Sequence, residues 1–403
     1  MVLQGFGYWP GSGSYLMPNP AETRLMIHGA VAMGAKGIIY HGLQPGPAWA
    51  TRYDDYYENL LDGYLVPHES WDSIREIAKD LTAIGPLLTM TDPNPSPDIS
   101  VKCQKIDFNE AGMEARYAGP AITAHCLFER KGGGRFIVVL NQDPTAYQSA
   151  SISVPDLSKS KDKLIDLYGM SFINNSQFRV RLAPGDAVIY YLGPKEQAAR
   201  NLERVYLERY KNEKDLLEID IDLARKNGLD VSAVLALQDK AKSQASSGKG
   251  EQAYHALLAA KDLMGNIIDQ DPCLGETLVK MDKLFRIICE AARMFNKNVD
   301  VVTGLTTAER HSEKYPAYNE NHLGYKEFPP NPHDELLGNA VKDLNSLFRV
   351  HAILETKLYA GKAKEVMPGL DGLLEIALGI KHKAMPYLED KVRELTQKRP
   401  PVD

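Results

Sequence analysis

Cysteine is scarce, with four residues in a chain of 403, and none of the four stands in a Cys-x-x-Cys pair. No two histidines are spaced His-x-x-x-His either, so neither a structural zinc site nor a disulfide-built scaffold is expected. Cys103 and Cys126 fall in adjacent expected strands and are the one pair the pattern allows to bridge; Cys273 and Cys289 lie at opposite ends of one expected helix, too far apart. Four free, largely buried thiols are the expectation. Long apolar runs are missing too: none approaches the roughly 18 to 20 residues of a membrane helix, and no charged segment followed by an apolar core stands after Met1. The compartment stays open. An excess of positive charge is also lacking, with 47 Lys and Arg against 53 Asp and Glu, a net charge of -6 and a pI near 6.0. Binding to phosphate backbones or anionic lipid needs clustered cations, so neither nucleic acid nor membrane is an expected partner, and no cofactor or metal is implied.

What is present divides into three compositions, and the expected fold is multidomain: α/β, then all-β, then all-α. With 44% apolar residues, 403 residues can build two or three ordinary cores. Residues 1–91 read strand, helix, strand, long loop, helix. Val2 to Gly7 is a short apolar run, Asn19-Pro20 caps a periodic segment reaching Met33, Gly37-Ile38-Ile39-Tyr40 is a second run, and a helix opens near Glu69-Ser70 with Trp71, Ile74, Ile77, Ala78, Leu81 and Ile84 at helical spacing. Residues 92–97, Asp-Pro-Asn-Pro-Ser-Pro, read as a proline-rich linker. Over 98–193 the period switches to two, with short runs at 99–102, 122–130, 135–141, 149–154, 164–168, 178–182 and 186–192 between Gly, Pro, Asn and Asp turns: a small antiparallel β-sandwich. Gly132-Gly133-Gly134 is read as a hairpin loop, because no helix follows it and no Lys-Ser/Thr closes it as a phosphate cradle.

From 194 to 403 the pattern is helical. Helices are expected over 195–227, with Asn227-Gly228 as the stop, then from Asp230 to about 246, over 250–269, 274–296 and 334–359, and from about 362 to 398, where Pro368 and Pro386 are expected to break or kink the chain. Short connections predict an antiparallel bundle. Residues 297–332, rich in proline, are an irregular excursion carrying His311, Tyr315, Tyr318, His322 and Tyr325, with His333 just beyond; these suit either a pocket or a plain surface.

The stretch Val2-Leu3-Gln4-Gly5-Phe6-Gly7-Tyr8, the helix start Glu22-Thr23-Arg24, and Gly34-Ala35-Lys36-Gly37-Ile38-Ile39-Tyr40-His41-Gly42 together resemble the last two strands of a TIM-barrel glycoside hydrolase of the β-galactosidase type. The 71–88 helix followed by a small sandwich is similar to the way such barrels end and pass into an accessory domain. The resemblance covers about residues 1–193; the helical half resembles nothing recognised. A (β/α)₈ barrel needs on the order of 250 residues, and the region before the linker supplies two of its eight strands. The resemblance therefore implies a truncated (β/α)₈ barrel end: a C-terminal portion whose missing N-terminal barrel portion lies upstream or on a partner chain.

Glycoside hydrolysis uses two carboxylates flanking the scissile bond, carried in a barrel at the C-terminal ends of strands. The loop from Tyr8 to Asn19 holds no Asp or Glu, which departs from the expected nucleophile position. The next loop holds Asp54, Asp55, Glu58 and Asp62. Nothing in the sequence fixes their geometry, so they read as solvated loop charges, and Asp54 stands as the one catalytic candidate of this chain. The same loops are rich in aromatic and polar groups, and sugars stack C–H faces on rings while their hydroxyls take directed hydrogen bonds. Gln4, Tyr8, Trp9, Tyr40, His41 and Trp49 are the expected carbohydrate contacts. The expected function is a glycoside-hydrolase-like protein acting on a carbohydrate, this chain alone being inactive because its main carboxylates lie upstream. The alternative is a non-catalytic carbohydrate-binding or interaction module with the helical bundle as its partner surface.

Overall fold

The computed structural model describes residues 2–4, 6–9, 18–41, 56–59, 69–94, 99–109, 116–131, 133–158, 161–304 and 330–397. The expected first run is two strands, β1 (Val2–Gln4) and β2 (Phe6–Trp9). Helix α1 (Pro20–Ala32) begins at a full capping box: the Asn19 side chain accepts from the Ala21 and Glu22 N–H groups while the Glu22 carboxylate accepts from the Asn19 N–H. Strand β3 (Ile39–His41) returns parallel to β1, with Val2 opposite Ile39, Leu3 opposite Tyr40 and Gln4 opposite His41. The expected strand, helix, strand crossover is therefore present. Strand β4 (Tyr56–Asn59) pairs antiparallel with β2, and helix α2 (Ser70–Leu88) lies beside α1. No closed barrel is formed among the described residues.

One correction falls at the expected linker. Thr91–Asn94 is a strand, β5, whose ladder with the later strand β9 (Ile122–Glu129) sets Thr91 opposite Glu129 and Asn94 opposite Cys126. An edge strand is held by backbone hydrogen bonds and needs little apolar content, and proline is tolerated there because one side of its backbone faces away from the ladder. Arg130 adds a two-pronged pair to Asp92 at 2.8 and 3.0 Å. Residues 95–97 lie outside the described residues.

The remaining strands are β6 (Ser100–Lys102), β7 (Lys105–Asn109), β8 (Arg116–Pro120), β10 (Arg135–Asn141), β11 (Gln148–Ser153), β12 (Asp162–Asp166), β13 (Ser171–Ile173), β14 (Gln177–Leu182) and β15 (Ala187–Pro194). A six-stranded sheet in the order β13-β12-β15-β10-β9-β5 faces a three-stranded sheet, β14-β11-β6, and β7 and β8 pair separately. The glycine run before β10 closes the β9–β10 hairpin, with Gly133 at φ +72°. Strands β10 and β15 are apolar without alternation because both faces are covered. Ile137, Val139, Val188 and Tyr190 point into the sandwich against Ile152, Val180 and Leu182; Phe136, Val138, Leu140, Ile189 and Tyr191 point the other way, toward helices. None of the four cysteines is bridged in a disulfide.

Helices α3 (Lys195–Lys226), α4 (Ser232–Ser246) and α5 (Gly250–Gln270) pack together and share the core formed by the outer face of the sheet with Val31, Ala83, Ile84 and Leu87 of α1 and α2. The cores thus do not follow the expected boundaries at 91 and 194. Helices α6 (Leu274–Lys297), α7 (Val299–Thr303), α8 (Glu335–Tyr359), α9 (Ala363–Gly379) and α10 (Met385–Gln397) build a second helical core, so the expected single bundle is two packed groups. Pro368 sits inside α9 without ending it. The interruption is a π turn at Ile380–Ala384, directly before Pro386, where the widened turn accommodates a residue that has no N–H to donate and whose ring crowds the preceding turn.

Candidate functional site

Of the expected contacts, Gln4 ends β1 and His41 ends β3, and α1, which joins these strands, is seated on the sandwich by specific bonds. Arg24 of α1 donates to the Pro184 carbonyl at 3.1 Å and to Ser73 Oγ of α2 at 3.0 Å. His28, 1% exposed, places Nδ1 3.3 Å from the Gly185 carbonyl and 3.8 Å from Asp186 Oδ1; burial dominates and pulls its pKa below the ordinary histidine value. Gly185 has φ +68°, and a Cβ there would collide with the Ala21 carbonyl. The helix therefore rests directly on backbone at the turn before β15. Behind α2, Arg209 of α3 pairs with Asp80 at 2.6 Å and also reaches the Tyr168 carbonyl at 3.3 Å.

At the end of the parallel pair, the register sets Gln4 beside His41. Both were expected contacts, and the fold brings their backbones together across 37 residues of chain because β1 and β3 pair in parallel. In the neighbouring ribbon, Phe6 lies opposite Asn59, Gly7 opposite Glu58, Tyr8 opposite Tyr57 and Trp9 opposite Tyr56, so five aromatic positions and one acidic position share four rungs of β-ladder. Trp49 and Asp54 lie outside the described residues, as do His311, Tyr315, Tyr318, His322 and Tyr325; His333 is exposed. Glu58 thus occupies a regular element, a placement the loop-like sequence around it did not reveal.

Tyr40 is half-buried, and burial lifts its phenol well above the ordinary tyrosine pKa, so it is a neutral O–H donor at every physiological pH. It borders a hollow of about 280 Å³ between α1, β3 and α2, lined chiefly by Ile27, Ile38, Ile74, Ile77, Ala78 and Leu81. Lys36 stands among the lining residues, but its Nζ donates to the Leu88 carbonyl at 2.9 Å and to Thr91 Oγ1 at 2.8 Å, and burial lowers its pKa. The sequence carried a signal for this hollow: the apolar positions of α2 form a stripe wider than one packed face needs. Among the described residues no group of three His, Cys, Asp or Glu stands close enough to hold a metal ion, and no helix is long and apolar enough to cross a membrane.

No family model matches the chain, and no curated protein matches it. Among solved structures it is similar to a putative alpha-N-acetylgalactosaminidase from Bacillus halodurans C-125, at 10% sequence identity and a TM-score of 0.24 over 46% of this chain. The match spans 34% of that protein's chain. A likeness of that size assigns neither fold nor activity.

Proposed function

We propose that the chain is the C-terminal part of a glycoside-hydrolase-like protein acting on a carbohydrate, with the end of a (β/α)₈ barrel at residues 1–91 and its main catalytic carboxylates supplied by upstream polypeptide. The single observation that carries this reading is the β1–α1–β3 unit: a parallel pair joined by a helical crossover, with Gln4 and His41 in register at the strands' C-terminal ends, where a barrel places its chemistry. The adjacent ladder sets Tyr8, Trp9, Tyr56 and Tyr57 on neighbouring rungs, and such a concentration of aromatic positions favours carbohydrate contact, because sugars stack their C–H faces on rings. Glu58 lies in that ladder and Asp55 and Asp54 directly precede it in sequence, so the acids of this chain nearest the aromatic positions are these three.

The non-catalytic alternative takes its support from the helical half, where Val279, Phe285, Ile353 and Ile376 are exposed on α6, α8 and α9. Binding of immobilised mono- and oligosaccharides to the 403-residue chain, with Trp9→Ala and Gln4→Ala beside wild type, tests the proposed contacts. Retention weakened by either substitution is the expected outcome. Equal retention by both variants, or by none of the proteins on any sugar, counts against them.

A further inference from the structure

We infer that the outer face of the three-stranded sheet β14-β11-β6 is a binding surface for a polyuronate, an extended glycan chain with a carboxylate on its sugar rings. The face lies on the sandwich and stands independently of the barrel-end reading. It follows from the alternation of side chains along three strands. On β11, Gln148, Ala150 and Ile152 are buried, while Ser149 and Ser151 are exposed and Ser153 is half-exposed. On β14, Val180 and Leu182 are buried, and Gln177, Arg179 and Arg181 are exposed. On β6, Ser100 and Lys102 are exposed on either side of a half-buried Val101.

The register turns these positions into a trough. Ser151 lies opposite Arg179 on one side and Lys102 on the other, so one rung reads cation, hydroxyl, cation across the sheet. Ser153 lies between Gln177 and Ser100, and Ser149 lies opposite Arg181. The short serines of the central strand make the floor, and the longer side chains of the outer strands make walls about 9.5 Å apart, two strand spacings. From Ser149 to Ser153 the floor runs roughly 14 Å.

Charge complementarity selects the occupant. The chain has a net charge of -6, yet this face presents Lys102, Arg179 and Arg181 and no carboxylate among its described residues. Among the described residues none of the three cations is held in an ion pair. Asp143, in the turn before β11, is 7% exposed and already accepts from Thr145, the Ala146 N–H and Gln148. That turn delivers Tyr147, 63% exposed, with its ring centre 5.2 Å from the Arg181 guanidinium. A flat ring and a planar cationic fork thus stand side by side at one end of the trough, where a sugar C–H face stacks on the ring and its carboxylate pairs with the fork. Hydroxyls and one amide outnumber the cations, which suits a chain rich in hydroxyls with a single carboxylate on each ring. A nucleic acid calls for a series of stacking rings along a cationic groove, and a densely sulfated glycan for a closer run of cations.

The probe is polygalacturonate coupled to a resin, offered to the 403-residue chain beside neutral dextran, heparin, single-stranded DNA and vesicles of phosphatidylcholine with phosphatidylserine. Arg179→Ala, Arg181→Ala and Ser151→Glu are the test variants; all three positions are exposed, so their unfolding midpoints are expected to match wild type. Wild type is expected to bind polygalacturonate, to be released by salt and to ignore dextran. Each variant is expected to weaken that binding about tenfold, and Arg181→Lys to restore only part of the loss, because an ammonium lacks the planar fork. Trp9→Ala is expected to leave it unchanged, which separates this face from the aromatic ladder.

No binding by wild type, equal binding by wild type and the three variants, or binding lost in Trp9→Ala alone overturns the surface. Tighter binding to heparin, single-stranded DNA or the vesicles that the same variants abolish overturns the polyuronate assignment. Either failure leaves the barrel-end reading standing, because that reading rests on other residues.

Discussion

Replacing Gly185 by alanine tests whether the β1–α1–β3 unit is built onto the sandwich or merely tethered to it. Gly185 has φ +68°, where an L-residue pays about 1 kcal/mol, and its added Cβ would meet the Ala21 carbonyl while lying 3.0 Å from the Leu25 amide nitrogen. Those atoms are helix backbone and cannot swing aside as a flexible side chain would. Overpacking of this kind costs roughly 1 to 3 kcal/mol, so the sum is about 3 kcal/mol. Gly228, at φ +85° with nothing near its virtual Cβ, is the control, and Gly228→Ala carries only the conformational part, about 1 kcal/mol. Urea unfolding of the two variants beside wild type measures the difference. Gly185→Ala is expected to lie about 2 kcal/mol below Gly228→Ala, with faster amide exchange along α1. Equal losses in the two variants would refute the claim that α1 rests on the Gly185 turn.

Three further outcomes follow from the same geometry. His28 is buried with a pKa held below its ordinary value of 6.5, by burial first and by the nearby Arg24 charge, against the pull of Asp186 and the Gly185 carbonyl. The unfolded chain therefore binds the proton more readily, and the stability advantage of wild type over His28→Gln is expected to shrink as pH falls below 6.5; an advantage that grows on acidification contradicts this. Asp334 caps α8 through the Leu337 N–H and also receives hydrogen bonds from Tyr387 and Lys391; these bonds hold its pKa below 3.8, outweighing desolvation. Asp334→Ala is expected to cost about 3 kcal/mol in urea unfolding at pH 7, and the penalty fades as pH falls below 3.8, where wild type loses the same charge. Thiol titration of the unreduced, denatured chain is expected to count four reactive cysteines, and a count of two would mean that Cys103 and Cys126 pair.

Much of the fold was legible because its signals are local. The Asn19-Pro20 cap, the Asn227-Gly228 stop and the short β-rich runs at 135–141 and 186–192 each act through neighbours in sequence. What sequence alone concealed depends on distant partners. Thr91–Asn94 is a strand only because β9 offers it an edge, and α1 meets Gly185 across more than 150 residues of chain. Of the candidate site, the meeting of Gln4 with His41 follows from the crossover pattern, whereas the hollow along α2 was signalled only by the width of that helix's apolar stripe.

The central claim, that this chain is the closing part of a carbohydrate-acting barrel, is tested most directly by hydrolysis of a panel of aryl glycosides. The 403-residue chain is assayed alone and then combined with the polypeptide encoded directly upstream. The account predicts no turnover by the chain alone and turnover by the combination. Turnover by the chain alone that Asp54→Asn or Glu58→Gln abolishes, or no turnover by a combination that has assembled, would contradict it.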